Sequence, residues 1–148
     1  MATITETIEV DRVPEDVFSY VTDASRFGEW QQGVVGGHME GSGQTAVGTK
    51  CITRRKIGLA ERSVTAEVTA IDPQRTWAVH GIDGPIRATV NVSVEPVDQH
   101  ARSKLTIGLD FEGHGIGKLL VPLVVRRGAQ KEMPENLRRL KQRLESGA

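Results

Sequence analysis

Apolar and polar side chains alternate from the first residues of the chain. Ile4, Glu6, Ile8 and Val10 share one face, and Thr3, Thr5, Thr7 and Glu9 the other. This period of two predicts a half-buried strand over residues 2–11. The pattern then changes. Pro14 pre-sets a helical φ, Glu15 and Asp16 suit the positive end of a helix dipole, and Val17, Phe18 and Val21 form one stripe, so a short helix is expected from about Pro14 to Thr22. Residues 23–30 read as a second helical turn ending at Trp30, before glycines return at Gly33, Gly36 and Gly37.

Six more strands fit residues 34–40, 48–57, 60–71, 75–82, 86–96 and 102–112. They are separated by turn signals at Gly41-Ser42-Gly43, Lys56-Ile57-Gly58, Asp72-Pro73, Asp83-Gly84-Pro85 and Val97-Asp98-Gln99-His100. Three alternations set an inward face: Val64/Ala66/Val68/Ala70, Ala88/Val90/Val92/Val94 and Leu105/Ile107/Leu109/Phe111. Around Val34 and Cys51 the alternation is too weak to assign one. Residues 115–145 predict a long amphipathic helix carrying Leu119, Leu120, Leu123, Val124, Leu137, Leu140 and Leu144. Pro122 and Pro134 inside it each remove a backbone donor and predict a late start, a kink, or both.

Short hairpin connections, with no strand–helix alternation, argue against a parallel sheet. The expected fold is α+β: a seven-stranded antiparallel sheet curled around the C-terminal helix, leaving an apolar cavity, in one domain over residues 1–148. Nineteen Lys and Arg against nineteen Asp and Glu give no overall attraction to phosphate, so nucleic acid is not an expected partner. One cysteine, Cys51, allows no internal disulfide. With neither a signal-like N-terminus nor an apolar run long enough to span a membrane, the cytoplasm is the expected location. A homodimer stays open.

Little in the chain reads as catalytic machinery. Gly113-His114-Gly115-Ile116-Gly117-Lys118 lacks the first glycine of a phosphate loop, and Leu119 stands where Ser or Thr is required; it reads better as a turn into the helix, and a movable lip of the cavity. His38, His80, His100 and His114 have no metal-ligand spacing, so neither metal nor cofactor is expected. Three polar residues fall where apolar ones belong: Glu6 on the first strand, and Arg127 and Gln130 on an arc with Ile116, Leu120, Leu123 and Val124. Glu6 could act as an acid or anchor, or touch water at a frayed strand end. Arg127 could bind a ligand oxygen, or lay its stem on apolar surface with its head in solvent. Trp30 and Trp77 are core aromatics that a cavity would also use.

The strings Ile8-Glu9-Val10-Asp11-Arg12-Val13-Pro14-Glu15-Asp16-Val17-Phe18, Thr22-Asp23, Trp30, Gly48, Ile71-Asp72-Pro73 and Leu137-Arg138-Arg139-Leu140-Lys141-Gln142-Arg143-Leu144-Glu145, in this order, resemble the START-like or SRPBCC superfamily. The resemblance is to its polyketide cyclase/dehydratase-like branch and covers nearly the whole chain. It implies a helix-grip fold and a small hydrophobic ligand, lipid- or polyketide-like, held between sheet and helix. The candidate ligand contacts are Glu6, Trp30, Trp77, Val90, Leu109, Leu120, Leu123, Val124 and Arg127. Carriage is the leading expectation, and a cyclase or dehydratase using Glu6 and Arg127 is the alternative. A partner-binding domain with a filled core is the third.

Overall fold

The computed structural model describes residues 3–41, 44–57 and 59–147; the turns expected at Gly41-Ser42-Gly43 and at Gly58 lie partly outside them, as does the side chain of Leu123. Strand β1 (Ile4–Val10) leads into helix α1 (Pro14–Val21) and a 3-10 helix (Ala24–Glu29). Strands β2 (Val34–Met39), β3 (Lys50–Ile57), β4 (Ala60–Asp72), β5 (Thr76–Gly81), β6 (Ile86–Val97) and β7 (Arg102–Gly113) follow. The chain ends with α2 (Gly117–Leu120), a π-helical turn (Val121–Val125) and α3 (Arg126–Glu145). All seven strands form one antiparallel sheet in the order β1-β7-β6-β5-β4-β3-β2.

Directly paired residues share a face, so the register draws the concave side row by row. One row runs Glu6, Ile107, Val92, Trp77, Ile71, and the next Ile4, Leu109, Val90, Val79, Val68. The inward residues expected on β6 and β7 are the ones found. On β4 the expectation holds only to Val68. A bulge at Thr69 slips the register, so Ala70 is exposed and Ile71 packs on the core instead. The unassigned face of β3 is also fixed: Met39 pairs with Cys51 and Cys51 with Ala66, which places Cys51, Thr53 and Arg55 inward.

Helix α3 closes one end of the concave face with Met133, Leu137, Leu140 and Leu144, spaced one turn apart and all buried. The earlier part of the C-terminal helix departs from the expected phase. Pro122 cannot donate to the preceding turn, and the widened turn closes with Arg126 N–H on the Val121 carbonyl, five residues back. That extra residue rotates the arc drawn through Leu120, Leu123, Val124 and Arg127. Val121 is the buried side chain, Leu120 is half-buried, and Val124 and Arg127 are exposed. Gly113 and Gly117 hold this segment to the β5–β6 turn. A Cβ on Gly117 would lie 1.8 Å from the Pro85 carbonyl oxygen, and one on Gly113 2.2 Å from the Gly117 carbonyl oxygen. Close approach, more than mobility, is why glycine stands at these two positions.

Candidate functional site: the open end of the concave face

Burial along β6 and β7 falls from one end of the sheet to the other. Leu105, Ile107, Val92 and Val94 are buried, whereas Val90, Leu109, Ala88 and Phe111 on the same face are half-buried. The apolar concave face is therefore less covered toward the start of β6, the end of β7 and α2, and this less covered stretch is termed the trough. Val90 and Leu109 lie there, half-buried and packed against the edge of the core. Leu120 stands half-buried on the helical segment above, and Val124 and Arg127 lie on its solvent side.

Trp30 and Trp77 belong to the closed part. Phe27 packs edge-on against both, with ring centroids 5.9 Å from Trp30 and 6.4 Å from Trp77. Each is at least nine-tenths buried, and neither indole N–H has a hydrogen-bond acceptor among the described residues. Glu6 sits half-buried on the concave face in the row of Ile107 and Trp77, with no ion pair or hydrogen bond among the described residues. Both readings of Glu6 drawn from the sequence survive this placement.

The polar residue that sequence reasoning missed is Arg55. It shares the inward face of β3 with the buried Cys51 and Thr53, and its Nε donates to Thr53 Oγ1 at 3.2 Å. Among the described residues that is its one hydrogen bond, and no carboxylate lies within ion-pair distance. Burial pushes the guanidinium below its ordinary pKa, opposed by the nearby Cys51 and by Glu132 on α3. A guanidinium stays charged even so, and the arrangement leaves its Nη donors for a ligand oxygen. The missing signal was the face of β3, which only the pairing through Met39, Cys51 and Ala66 reveals. Cys51 itself offers no nucleophile: burial pushes its thiol to about 11.

Two surface depressions lie elsewhere. One of about 450 Å³ is lined by Glu29, Arg139, Gln142, Arg143 and Ser146 at the closed end. Beside it Tyr20 donates to Glu29 at 2.8 Å, and burial and this bond push the phenol to about 12. The other, about 330 Å³, lies against outward residues such as Ala70, Ala78, Asn91, Ser93 and Gly108. The first has a polar wall and the second a floor made largely of small side chains. Neither is lined by Val90, Leu109 or Arg55.

A family model described as polyketide cyclase / dehydrase and lipid transport matches residues 1–145. The chain belongs to that family. Its architecture recurs in a START superfamily protein from Mycobacterium smegmatis, 17% identical, with 97% of this chain and 94% of that one covered and a TM-score of 0.68. The Zhui aromatase/cyclase from Streptomyces sp. R1128 is 14% identical over 99% of this chain and 98% of its own, with a TM-score of 0.71. The chain also matches 47% of the di-domain ARO/CYC BexL, at 17% identity over 98% of this chain and a TM-score of 0.75. At these identities the likeness shows the fold alone. No curated protein sequence matches the chain.

Proposed function

We propose that the chain, as a single START-like domain, binds a small hydrophobic molecule carrying a carbonyl or anionic oxygen in the concave trough. The observation that carries this reading is a half-buried apolar floor, Val90, Leu109, Ala88 and Phe111, on the same sheet face as a half-buried arginine with no carboxylate within ion-pair distance among the described residues. A cation held partly out of water without a close counter-charge is costly, and a ligand oxygen would offset that cost. Leu120 covers the ligand from the helical side. Val124 and Arg127 touch it only at the lip, and Leu123 stays among the proposed contacts from its place in the sequence. Trp30 and Trp77 form the inner wall, where an acceptor on the ligand could meet their indole N–H groups. Native mass spectrometry of protein purified from its own source tests the reading. A co-purifying apolar molecule with an oxygen function is expected, and protein that neither carries one nor takes up an apolar fluorescent probe in a 1:1 ratio contradicts it.

Glu6 and Arg55 on one concave face favour a second reading, an enzyme of the cyclase or dehydratase type. Glu6 would move a proton and Arg55 would hold the developing enolate oxygen. This replaces Arg127, whose side chain is exposed, as the stabilising group. Glu6→Gln separates the two readings: it abolishes turnover of a bound carbonyl substrate in an enzyme and leaves binding intact in a carrier. No helix among the described residues is long and apolar enough to cross a membrane, and a cytoplasmic location belongs to the same proposal.

A further inference from the structure

Between Gly113 and Lys131 the chain carries four cations, Lys118, Arg126, Arg127 and Lys131, and no carboxylate. Within it Val121 is 2% exposed, whereas Ile116 is 66%, Leu119 65% and Val124 61% exposed. The segment is thus apolar on its solvent side as well as on its protein side, a pattern that needs a second apolar environment. The β3–β4 hairpin supplies the same combination. Its strands pair out to Ile57 and Ala60, past the end of β5, where Gly81 pairs with Ala66. Leu59 at its tip is 103% exposed. Antiparallel order puts the β3–β4 turn, the β5–β6 turn and the β7–α2 turn at one end of the sheet, the end at which the trough opens. Lys56, Arg62 and Lys118 there make no ion pair among the described residues, while Glu61 on the hairpin is taken by Arg54 at 3.7 Å.

We propose that this end of the molecule docks on an anionic lipid surface, with Leu59, Ile116 and Leu119 inserting among the lipids and Lys56, Arg62 and Lys118 facing the headgroups. Apolar insertion flanked by cations is the chemistry of a peripheral membrane contact. A protein partner would have to supply both a dry pocket for three separated side chains and an acidic rim, whereas a bilayer with anionic headgroups supplies both at once. The inference stands apart from the ligand reading, because an empty protein would dock equally well.

Flotation of the full chain with vesicles tests it. Binding is expected to phosphatidylcholine vesicles that contain phosphatidylglycerol, to weaken when phosphatidylglycerol is left out, and to fall with added salt. Leu59→Ser and Leu119→Ser should each weaken binding about tenfold, and Lys56→Gln and Lys118→Gln each about fivefold. Val47→Ser, at an exposed valine in the β2–β3 connection, should change nothing. Thermal melting of each variant checks that it is folded. Wild-type protein that ignores phosphatidylglycerol vesicles, or leucine variants that float as well as wild type, would overturn the proposal. So would sedimentation showing that Leu59 and Leu119 hold two copies of the chain together instead.

Discussion

The two ends of the sheet are built from the same strands and put to different uses. At the closed end, polar groups serve the chain itself. Ser103 donates to the Arg12 carbonyl at 2.7 Å, Arg12 reaches the Leu144 carbonyl, and Glu145 accepts the Asp11 N–H at 2.8 Å. Lys141 bonds the Glu9 carbonyl at 2.7 Å, and Leu105, Leu140 and Leu144 fill the space between. At the open end, apolar side chains meet solvent, and among the described residues Arg55 has no carboxylate within ion-pair distance and Lys118 makes no ion pair. Stability concentrates where donors and acceptors find each other within the chain. Where they do not, the surface is suited to something outside it.

The contrast breaks if the two ends respond alike to truncation. Leu140→Ala should lower stability by about 2–5 kcal/mol, as at other fully buried leucines. Leu119→Ala, at the exposed end, should stay within about 0.5 kcal/mol. Equal losses in urea denaturation would show that the open end is as tightly packed as the closed one.

One point at the open end is rigid, and it sharpens the comparison. Gly117→Ala forces a methyl onto the Pro85 carbonyl and should cost about 1–3 kcal/mol by overpacking. Gly115→Ala meets nothing within 4 Å but has φ +60°, so it should cost only about 1 kcal/mol through backbone strain. If Gly117→Ala melts with wild type, the segment is free of the β5–β6 turn.

Acid should act on the closed end. The Asp11 N–H, more than the Lys141 ammonium, holds the Glu145 carboxyl below its ordinary pKa. The folded state therefore binds that proton less readily than the unfolded chain does. The stabilisation is fully present above the ordinary glutamate range near 4.5 and is lost as pH falls through the lowered folded value. Glu145→Gln should remove part of this acid sensitivity, an effect of about 0.5 kcal/mol once solvent screening is allowed for. A stability profile unchanged by the substitution would mean that Asp11 finds another acceptor. The smallest expected signal is chemical. Cys51, pushed to about 11 by burial, should react with iodoacetamide at pH 8 only after denaturation, and prompt alkylation of the folded protein would contradict the burial of β3.

The sequence made the closed end legible because period-two and helical stripes there coincide with real burial. β1, α1, β6, β7 and the Leu137, Leu140, Leu144 face of α3 are where the patterns place them. Two local events broke the pattern elsewhere. A bulge at Thr69 exchanged Ala70 for Ile71, and the wide turn at Pro122 took Val124 and Arg127 out of the arc that 100° per residue assigns them. Periodicity counts residues and cannot register an inserted one. Arg55 was hidden for a third reason. Its strand alternates weakly, and its face follows from partners far apart in sequence.

The central claim is that the trough binds an apolar molecule whose oxygen is held by Arg55. Its most direct test is the affinity of two apolar probes, anionic anilinonaphthalene sulfonate and neutral phenylnaphthylamine, for wild type and Arg55→Met. Methionine keeps much of the stem and removes the charge, so the anionic probe should bind more weakly by about 1.5–3 kcal/mol, the worth of a hydrogen bond to a charged group. The neutral probe should bind as before. Equal affinities of Arg55→Met and wild type for the anionic probe, or equal losses for both probes, would contradict the account.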